Sequence, residues 1–384
     1  MKLLSIAISG VCVVALASYV GLSKEQTTSH NIPVKKVEVV KPPTLSKALQ
    51  QKQFTLDSIF SADYKHGVFN GCVAVLYHDT LVYQNALGFE NIKTKKGLCN
   101  ESVFQLASVS KTFTAVSVLK LVEQNKVALT DNIRNYFPDF PYQNITIKHL
   151  LSHTSGLPNY LYFYYHLPRA DSLLSNQQVL DLLTQHKPAA YYKPGRRFQY
   201  NNTNYVLLAL LVEKVSGLPF QTFVQQNIFD VCGMKNSAFF DVDDTLQNQA
   251  LAFDYRKRAV GTDVFDYVVG DKGVCSTSQD MLLYAQNLFS GKVISNINDA
   301  TKPHARAGNG RFYGLGFRIN PNGGDTIIFH NGWWNGYRTA FQYRKSDKTT
   351  LVILSNRLDK SVYQTTRIFN AIDNKLGLNG DEEE

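Results

Sequence analysis

The sequence predicts an α+β fold in which both chain ends build one antiparallel sheet, flanked by helices, around a mostly helical inserted subdomain. Three observations carry this. Two strand-like runs, 71–77 (GCVAVLY) and 81–88 (LVYQNALG), flank the tight turn His78-Asp79-Thr80 near the start of the body. Four more, 313–319, 326–330, 337–343 and 350–355, stand near its end, followed by an amphipathic helix over 361–376. Between the two groups the pattern is helical, with apolar helices over 108–124 and 204–216.

Ahead of the body, residues 1–22 place Lys2 before a stretch without charges, LLSIAISGVCVVALASYVGL, which reads as a signal peptide or an N-terminal membrane anchor. Ala15-Leu16-Ala17 resembles a cleavage site, yet about 20 apolar residues also suffice to span a bilayer. Both readings place the body outside the cytoplasm, periplasmic or extracellular, with membrane association through residues 3–22 in the second. Residues 23–48 are a polar linker with Pro33, Pro42 and Pro43. The body then runs over 49–376, with the helical insert at about 125–260, and an acidic tail closes the chain at 377–384.

Composition narrows the classes. With 384 residues, 44% hydrophobic and 18% charged, the chain can bury a large core and is neither disordered nor collagenous. The formal charge of +9 belongs to the body, because the positive leader and linker offset the acidic tail. It forms no basic block. Arg256-Lys257-Arg258 and Arg196-Arg197 are short and lack interleaved stacking aromatics, so no nucleic-acid partner is expected. Beyond Cys12 the cysteines are Cys72, Cys99, Cys232 and Cys275; a body this large needs no staple, and free buried thiols are expected, with a Cys72–Cys99 bridge as the alternative.

The chemistry starts at Phe104-Gln105-Leu106-Ala107-Ser108-Val109-Ser110-Lys111, which leads into an apolar helix. Ser108 and Lys111 are three apart and share a helical face, a nucleophile beside a base. Free amides in the first turn can stabilise developing negative charge. Val109, Phe113, Val116 and Leu119 predict a buried helix, which would desolvate Lys111 and favour its neutral amine. A second copy of the spacing, Ser117 to Lys120, lies mid-helix, where the serine can spend its hydroxyl on a backbone carbonyl.

Two further elements follow. Tyr200-Asn201-Asn202 comes after the turn Pro194-Gly195 and opens the helix TNYVLLALLVEKVSG, so a phenol and an amide are presented at a helix start. His330-Asn331-Gly332-Trp333-Trp334 ends a strand with a potential cation, followed by a glycine beside which a ligand can approach the backbone.

In the order Ser108-x-x-Lys111, Tyr200-x-Asn202, His330-x-Gly332, with LLSHTSGLP (150–158) and GDKGVCSTSQD (270–280) around them, the chain resembles the penicillin-recognising serine hydrolases. These comprise class C β-lactamases, DD-carboxypeptidases and their esterase and D-aminopeptidase relatives. The resemblance covers roughly residues 50–375. It implies a β-lactamase/transpeptidase-like fold, no cofactor and an acyl-enzyme mechanism on an amide, β-lactam or ester bond of a small-molecule or peptide substrate, including peptides derived from peptidoglycan. Ser108 would be the nucleophile, Lys111 and Tyr200 would share the proton work, and Asn202 would position the acyl side chain. The amides of Ser108 and Trp333, beside Gly332, would form the oxyanion hole. His330 stands where many relatives carry Lys, so it would be the substrate-binding cation and confer a pH dependence near neutrality. Asn201 and Cys275 stand where relatives often have Ser and Tyr, with Cys275 expected to widen the cleft and Trp333 and Trp334 to crowd it, Trp334 either by contact with substrate or by packing alone.

Three rival readings remain. His149 and His153 have the i, i+4 spacing of a helical zinc pair, but Leu150 replaces the glutamate of H-E-x-x-H and no metal is expected. The aromatic segment 159–165 and Tyr191-Tyr192 read as packing within the insert or as a lid. A module with the same fold and little turnover, binding peptidoglycan or a partner protein, is the alternative to an enzyme.

Overall fold

The computed structural model describes residues 45–167, 173–241 and 246–375, so the apolar stretch expected to be a signal peptide or anchor, most of the polar segment 23–48 and the acidic tail lie outside the described residues. Eight strands form the main sheet: β1 (Gly71–Tyr77), β2 (Thr80–Leu87), β3 (Ala305–Gly308), β4 (Arg311–Tyr313), β5 (Arg318–Asn322), β6 (Asp325–Trp334), β7 (Tyr337–Arg344) and β8 (Thr349–Ser355). Their order across the sheet is β2-β1-β8-β7-β6-β5-β4-β3, antiparallel throughout. The pairing of β1 with β8 joins the two chain ends, Gly71 opposite Ser355 and Leu76 opposite Thr350.

Five helices position the site: α1 (Lys47–Lys65), α2 (Ser110–Glu123), α3 (Thr203–Ser216), α4 (Ser278–Phe289) and α5 (Thr365–Ile372). Both faces of the sheet are covered. Val73, Val75, Leu351 and Ile353 pack toward α1 and α5, while Cys72, Ala74, Val352 and Leu354 pack toward α2, α4 and the insert. This is why the strands read as nearly continuous apolar runs: successive side chains point to opposite faces, and here each face meets a core.

The body begins slightly before residue 49. Ser46 caps α1, its hydroxyl accepting from Leu49 N at 3.4 Å. The sequence reading passed over this helix because its buried stripe, Lys52, Leu56, Phe60 and Asp63, is half charged. Lys52 donates to the Ile372 carbonyl and Asp63 pairs with Arg367, so those charges fasten α1 to α5.

Other boundaries shift for local reasons. The expected strand 313–319 is two strands, because Gly314-Leu315-Gly316 turns the chain and Gly316 has φ +94°. The expected strand 326–330 continues to Trp334, where Asn335 and Gly336, both at positive φ, make the two-residue turn into β7. The closing helix is shorter than expected, a 3-10 turn over Lys360–Tyr363 and then α5.

A second, three-stranded sheet joins Phe104–Gln105 to Val274–Ser276 and Val274–Ser276 to Ala238–Phe239. It brings the segment 270–274 alongside the start of α2. Cys275 is fully buried in it, opposite Gln105 and Ala238, so it does not widen an open cleft. Cys72, Cys99, Cys232 and Cys275 are all free thiols.

Candidate active site

Ser108 stands in a 3-10 turn, Ala107–Val109, that runs directly into α2. Ala107 has φ +49°, a left-handed conformation that costs a non-glycine residue on the order of 1 kcal/mol. Three hydrogen bonds hold the turn: Leu106 N donates to Val274 O (2.7 Å), Thr339 Oγ1 donates to Leu106 O (2.8 Å) and Val109 N donates to Leu106 O (3.2 Å). Ser108 is thereby fixed at a helix start, where backbone amides lack a carbonyl one turn earlier.

The Lys111 Nζ donates to Ser108 Oγ (3.1 Å) and to the Asp271 carbonyl (2.8 Å). Its side chain has no exposure, as the burial of Val109, Phe113, Val116 and Leu119 around it requires. Burial pushes the amine down from 10.5 to about 7, the Asp271 carboxylate pulls it back up, and Arg318 adds a push down. A large share of Lys111 is therefore free amine at neutral pH. The second copy of the spacing has no such setting: Ser117 Oγ donates to Phe113 O (2.9 Å) and Lys120 Nζ to Val293 O (3.2 Å).

Tyr200 is brought to the pair by a loop laid on the 150–158 segment. Gly195 N donates to Thr154 O (2.8 Å), Gln199 N to His153 O (2.9 Å) and Asn201 N to His153 Nδ1 (3.1 Å). The Tyr200 hydroxyl is buried beside Ser108, with no partner in hydrogen-bond geometry. Burial holds that phenol well above its ordinary value, against the pull of Arg318. Its ring lies 4.9 Å from Lys111 Nζ and 4.5 Å from the His153 ring centre. Asn201 is spent on structure, donating to the Leu157 carbonyl and accepting from Thr203 N (2.9 Å). Asn202, at the start of α3, is half-buried and its side chain makes no capping bond, which leaves the amide available.

The third side of the site is β6. Its pairing with β5 ends at Phe329 opposite Arg318, so His330 to Trp334 have β7 alone as a strand neighbour. Gly332 lies against the Ser108 turn: a Cβ there would stand 2.3 Å from Leu106 O, 2.3 Å from Thr339 Oγ1 and 3.1 Å from Ala107 Cβ. Only glycine lets this strand approach Ser108 so closely.

His330 is not the cation expected of it. The ring is fully buried; Nδ1 donates to Asn331 O (2.8 Å), which leaves Nε2 to accept from the Tyr313 hydroxyl (3.1 Å). Burial first, then Arg318 and Lys111, hold it neutral, well below its ordinary value. The positive charge is Arg318, whose guanidinium carbon lies 5.0 Å from the Tyr200 ring centre and 5.9 Å from that of Tyr313. Sequence reading missed it because a lone arginine in a strand carries no motif.

The two tryptophans separate. Trp333 is 65% exposed and stacks on Arg338 (5.6 Å), leaving its backbone as the part near the Ser108 turn, whereas Trp334 Nε1 donates to Asp266 (2.6 Å). The aromatic segment divides likewise: Tyr160 and Tyr164 are buried, and Tyr162 and Tyr165 are exposed. His149 and His153 each commit Nδ1 to a backbone amide, of Thr146 and Asn201 respectively.

A strained serine turn, a buried lysine, a tyrosine and a glycine-backed strand thus meet at one end of the antiparallel sheet. Residues 56–373 match the Beta-lactamase family model, and the chain belongs to that family. It is 30% identical over 335 residues to penicillin-binding protein 4* of Bacillus subtilis, covering 82% of this chain and 74% of that one. It is 25% identical to a D-aminopeptidase of Brucella anthropi over 74% of this chain and 56% of that one. The crystal structure of a penicillin-binding protein from Bacillus halodurans superimposes with a TM-score of 0.74 at 26% identity, covering 82% of this chain and 98% of that one. The chain is a serine hydrolase that works through an acyl-enzyme intermediate.

Proposed function

We propose that Ser108 is the nucleophile, Lys111 its base and Tyr200 the proton carrier to the leaving group, and that the substrate is a small amide or ester bearing a carboxylate, of the D-amino-acid peptide type. One observation carries the reading: the buried Lys111 amine, pushed down to about 7, lies 3.1 Å from Ser108 Oγ. Of the two groups beside the serine, Lys111 offers a lone pair at neutral pH, while the phenol of Tyr200 is held protonated.

In this reaction the Ser108 hydroxyl proton passes to Lys111 as Oγ attacks the carbonyl carbon. The amides of Ser108 and Trp333 hold the oxyanion. The proton then moves through the Tyr200 hydroxyl to the leaving nitrogen or oxygen, the carbon–leaving-group bond breaks, and the acyl-enzyme remains. Water then attacks the acyl carbon while Lys111 takes its proton, the bond from the carbon to Ser108 Oγ breaks, and Lys111 returns the proton to Oγ, which releases the acid and restores the serine. Asn202 holds the acyl side chain, and Arg318 takes the place expected of His330 by pairing with the carboxylate.

The names of the curated relatives support the D-peptide class, which includes fragments of peptidoglycan. The leader-like stretch at residues 3–22 supports action outside the cytoplasm, tethered to the membrane or released from it. A fluorophosphonate or penicillin probe on wild type and Ser108→Ala tests the catalytic claim: labelling is expected in the first and not the second, and a folded wild type that neither probe labels refutes it. Parallel turnover of a D-Ala-D-Ala peptide, a chromogenic cephalosporin and a short nitrophenyl ester ranks the substrates.

A further inference from the structure

The serine site uses Lys111 but leaves a second buried lysine unexplained. Lys272, 2% exposed, places Nζ 2.5 Å from the Tyr160 hydroxyl and 3.1 and 3.2 Å from the two Asp271 carboxylate oxygens. Tyr160 in turn donates to Asp271 Oδ2 at 2.9 Å, and the Trp334 ring centre lies 4.4 Å from Lys272 Nζ. Burying such an ion pair costs several kcal/mol per ion before attraction repays it, and apolar side chains of the same volume fill such a space at equal or better stability.

Its position supplies a reason. Asp271, whose carboxylate holds Lys272, uses its backbone carbonyl to hold Lys111 Nζ at 2.8 Å. The residues around it are stitched to α2 on both sides of Lys111: Thr114 Oγ1 donates to Gly270 O (2.7 Å), and Val274 N donates to Ser110 Oγ (3.1 Å). The segment 270–274 is thus a rail along α2 with Lys111 at its centre.

We propose that Asp271, Lys272 and Tyr160 are positioning residues for the base: the Asp271 carbonyl aims the Lys111 amine at Ser108, and the Lys272 ammonium offsets the Asp271 carboxylate, which would otherwise hold Lys111 as an ammonium. The proposal rests on Lys111 being the base of Ser108. The groups around Lys111 fix the sign. Asp271 and Lys272 face it from the 270–274 segment, Arg318 from β5, His330 from β6, and His153, Tyr200 and Tyr205 from the insert; Asp266 lies beyond Lys272, against Trp334. Both histidines are held neutral by burial and the phenols stay protonated. The balance is one facing anion, Asp271, against the cations Lys272 and Arg318.

The test is the rate of Ser108 labelling by a fluorophosphonate between pH 5 and 9 in the full chain, with folding checked by thermal melts. Lys272→Met is expected to move the acidic limb to higher pH, on the order of one unit, by leaving Asp271 uncompensated. Asp271→Asn is expected to move it to lower pH and carries the test if Lys272→Met does not fold. The double variant is expected to return the limb toward wild type. Lys272→Met and Asp271→Asn that both slow labelling without moving the limb overturn the proposal, since loss of packing alone would do that. Lys111→Ala labelled at the wild-type rate refutes the reading of Lys111 as base, a separate result from an unmoved limb in the other variants.

Discussion

The Arg318 guanidinium lies over the Tyr200 ring at 5.0 Å, and among the described residues it has no carboxylate partner. A half-buried cation without a carboxylate partner among the described residues, over the Tyr200 ring, is suited to an anion brought by a substrate. Arg318→Ala is expected to lower kcat/KM for a carboxylate-bearing peptide by about 10- to 100-fold, the worth of one charge-assisted contact. Turnover of the matching methyl ester or amide should change little. Equal losses on both substrates would mean that Arg318 serves the fold of the site and not the carboxylate.

His330→Gln tests the complementary point. Because burial, Arg318 and Lys111 hold His330 well below its ordinary value, its ring is not expected to carry a second proton around neutrality. The pH profile of kcat/KM should keep its shape in this variant even if its height falls. A neutral-pH limb that disappears with His330 would restore the histidine as the binding cation.

Lys111 links activity to stability with opposite signs. Its folded-state value, about 7, lies below the 10.5 of the unfolded chain, so between these values the unfolded state binds more protons and stability falls as pH drops from about 10.5 to 7. At pH 7 the buried amine costs the fold a few kcal/mol. Lys111→Met is therefore expected to abolish turnover and to raise Tm by several degrees, with the gain shrinking toward pH 10. A melt at pH 7 and at pH 10 checks both the sign and the trend.

Much of this was legible in the chain and some was not, for separable reasons. The difference in setting between Ser108 and Ser117 was legible because helix position decides whether a hydroxyl is free, and Ser117 does spend its hydroxyl on Phe113 O. The sheet closed by both chain ends was legible because β1 and β8 are each apolar on two faces. Arg318 was not, since the rings beneath it, Tyr200 and Tyr313, meet only in the folded chain. The same holds for His330: at an expected strand end it reads as a potential substrate-binding cation, and only the Tyr313 hydroxyl and the surrounding core make it a neutral buried ring. Lys272 and Asp271 stood inside a recognised framework segment, but which carbonyl would hold Lys111 depends on the three-stranded sheet that places the segment on α2.

Gly332→Ala isolates geometry from chemistry. The added Cβ would meet Leu106 O and Thr339 Oγ1 at 2.3 Å each, so the Ser108 turn or β6 must shift. Overpacking of this kind costs about 1–3 kcal/mol in stability. The larger effect is expected on kcat, because a displacement near 1 Å at Ser108, the proposed nucleophile, can cost about 100-fold in rate. The check is a melt alongside steady-state kinetics. A variant that melts early yet keeps wild-type kcat would show that the close approach of β6 to the turn serves packing alone.

The duplicated spacing on α2 gives the last test. Ser108, in the turn that opens α2, and Ser117, within it, each precede a lysine by three residues, so a mechanism that needed only the pattern would tolerate either. The difference is environment: Lys111 has no exposure and touches the serine hydroxyl, whereas Lys120 is part-exposed and donates to Val293 O, with its own serine already bonded to the helix backbone. Lys120→Ala should leave Ser108 labelling and kcat within about twofold and cost about 1 kcal/mol of stability or less, the worth of one partly solvated hydrogen bond. Lys111→Ala should reduce labelling by at least about 100-fold, the usual contribution of a positioned base. Equal losses from the two substitutions in folded protein would refute the assignment, because burial and contact with the hydroxyl, which distinguish the two lysines, would then not govern the chemistry.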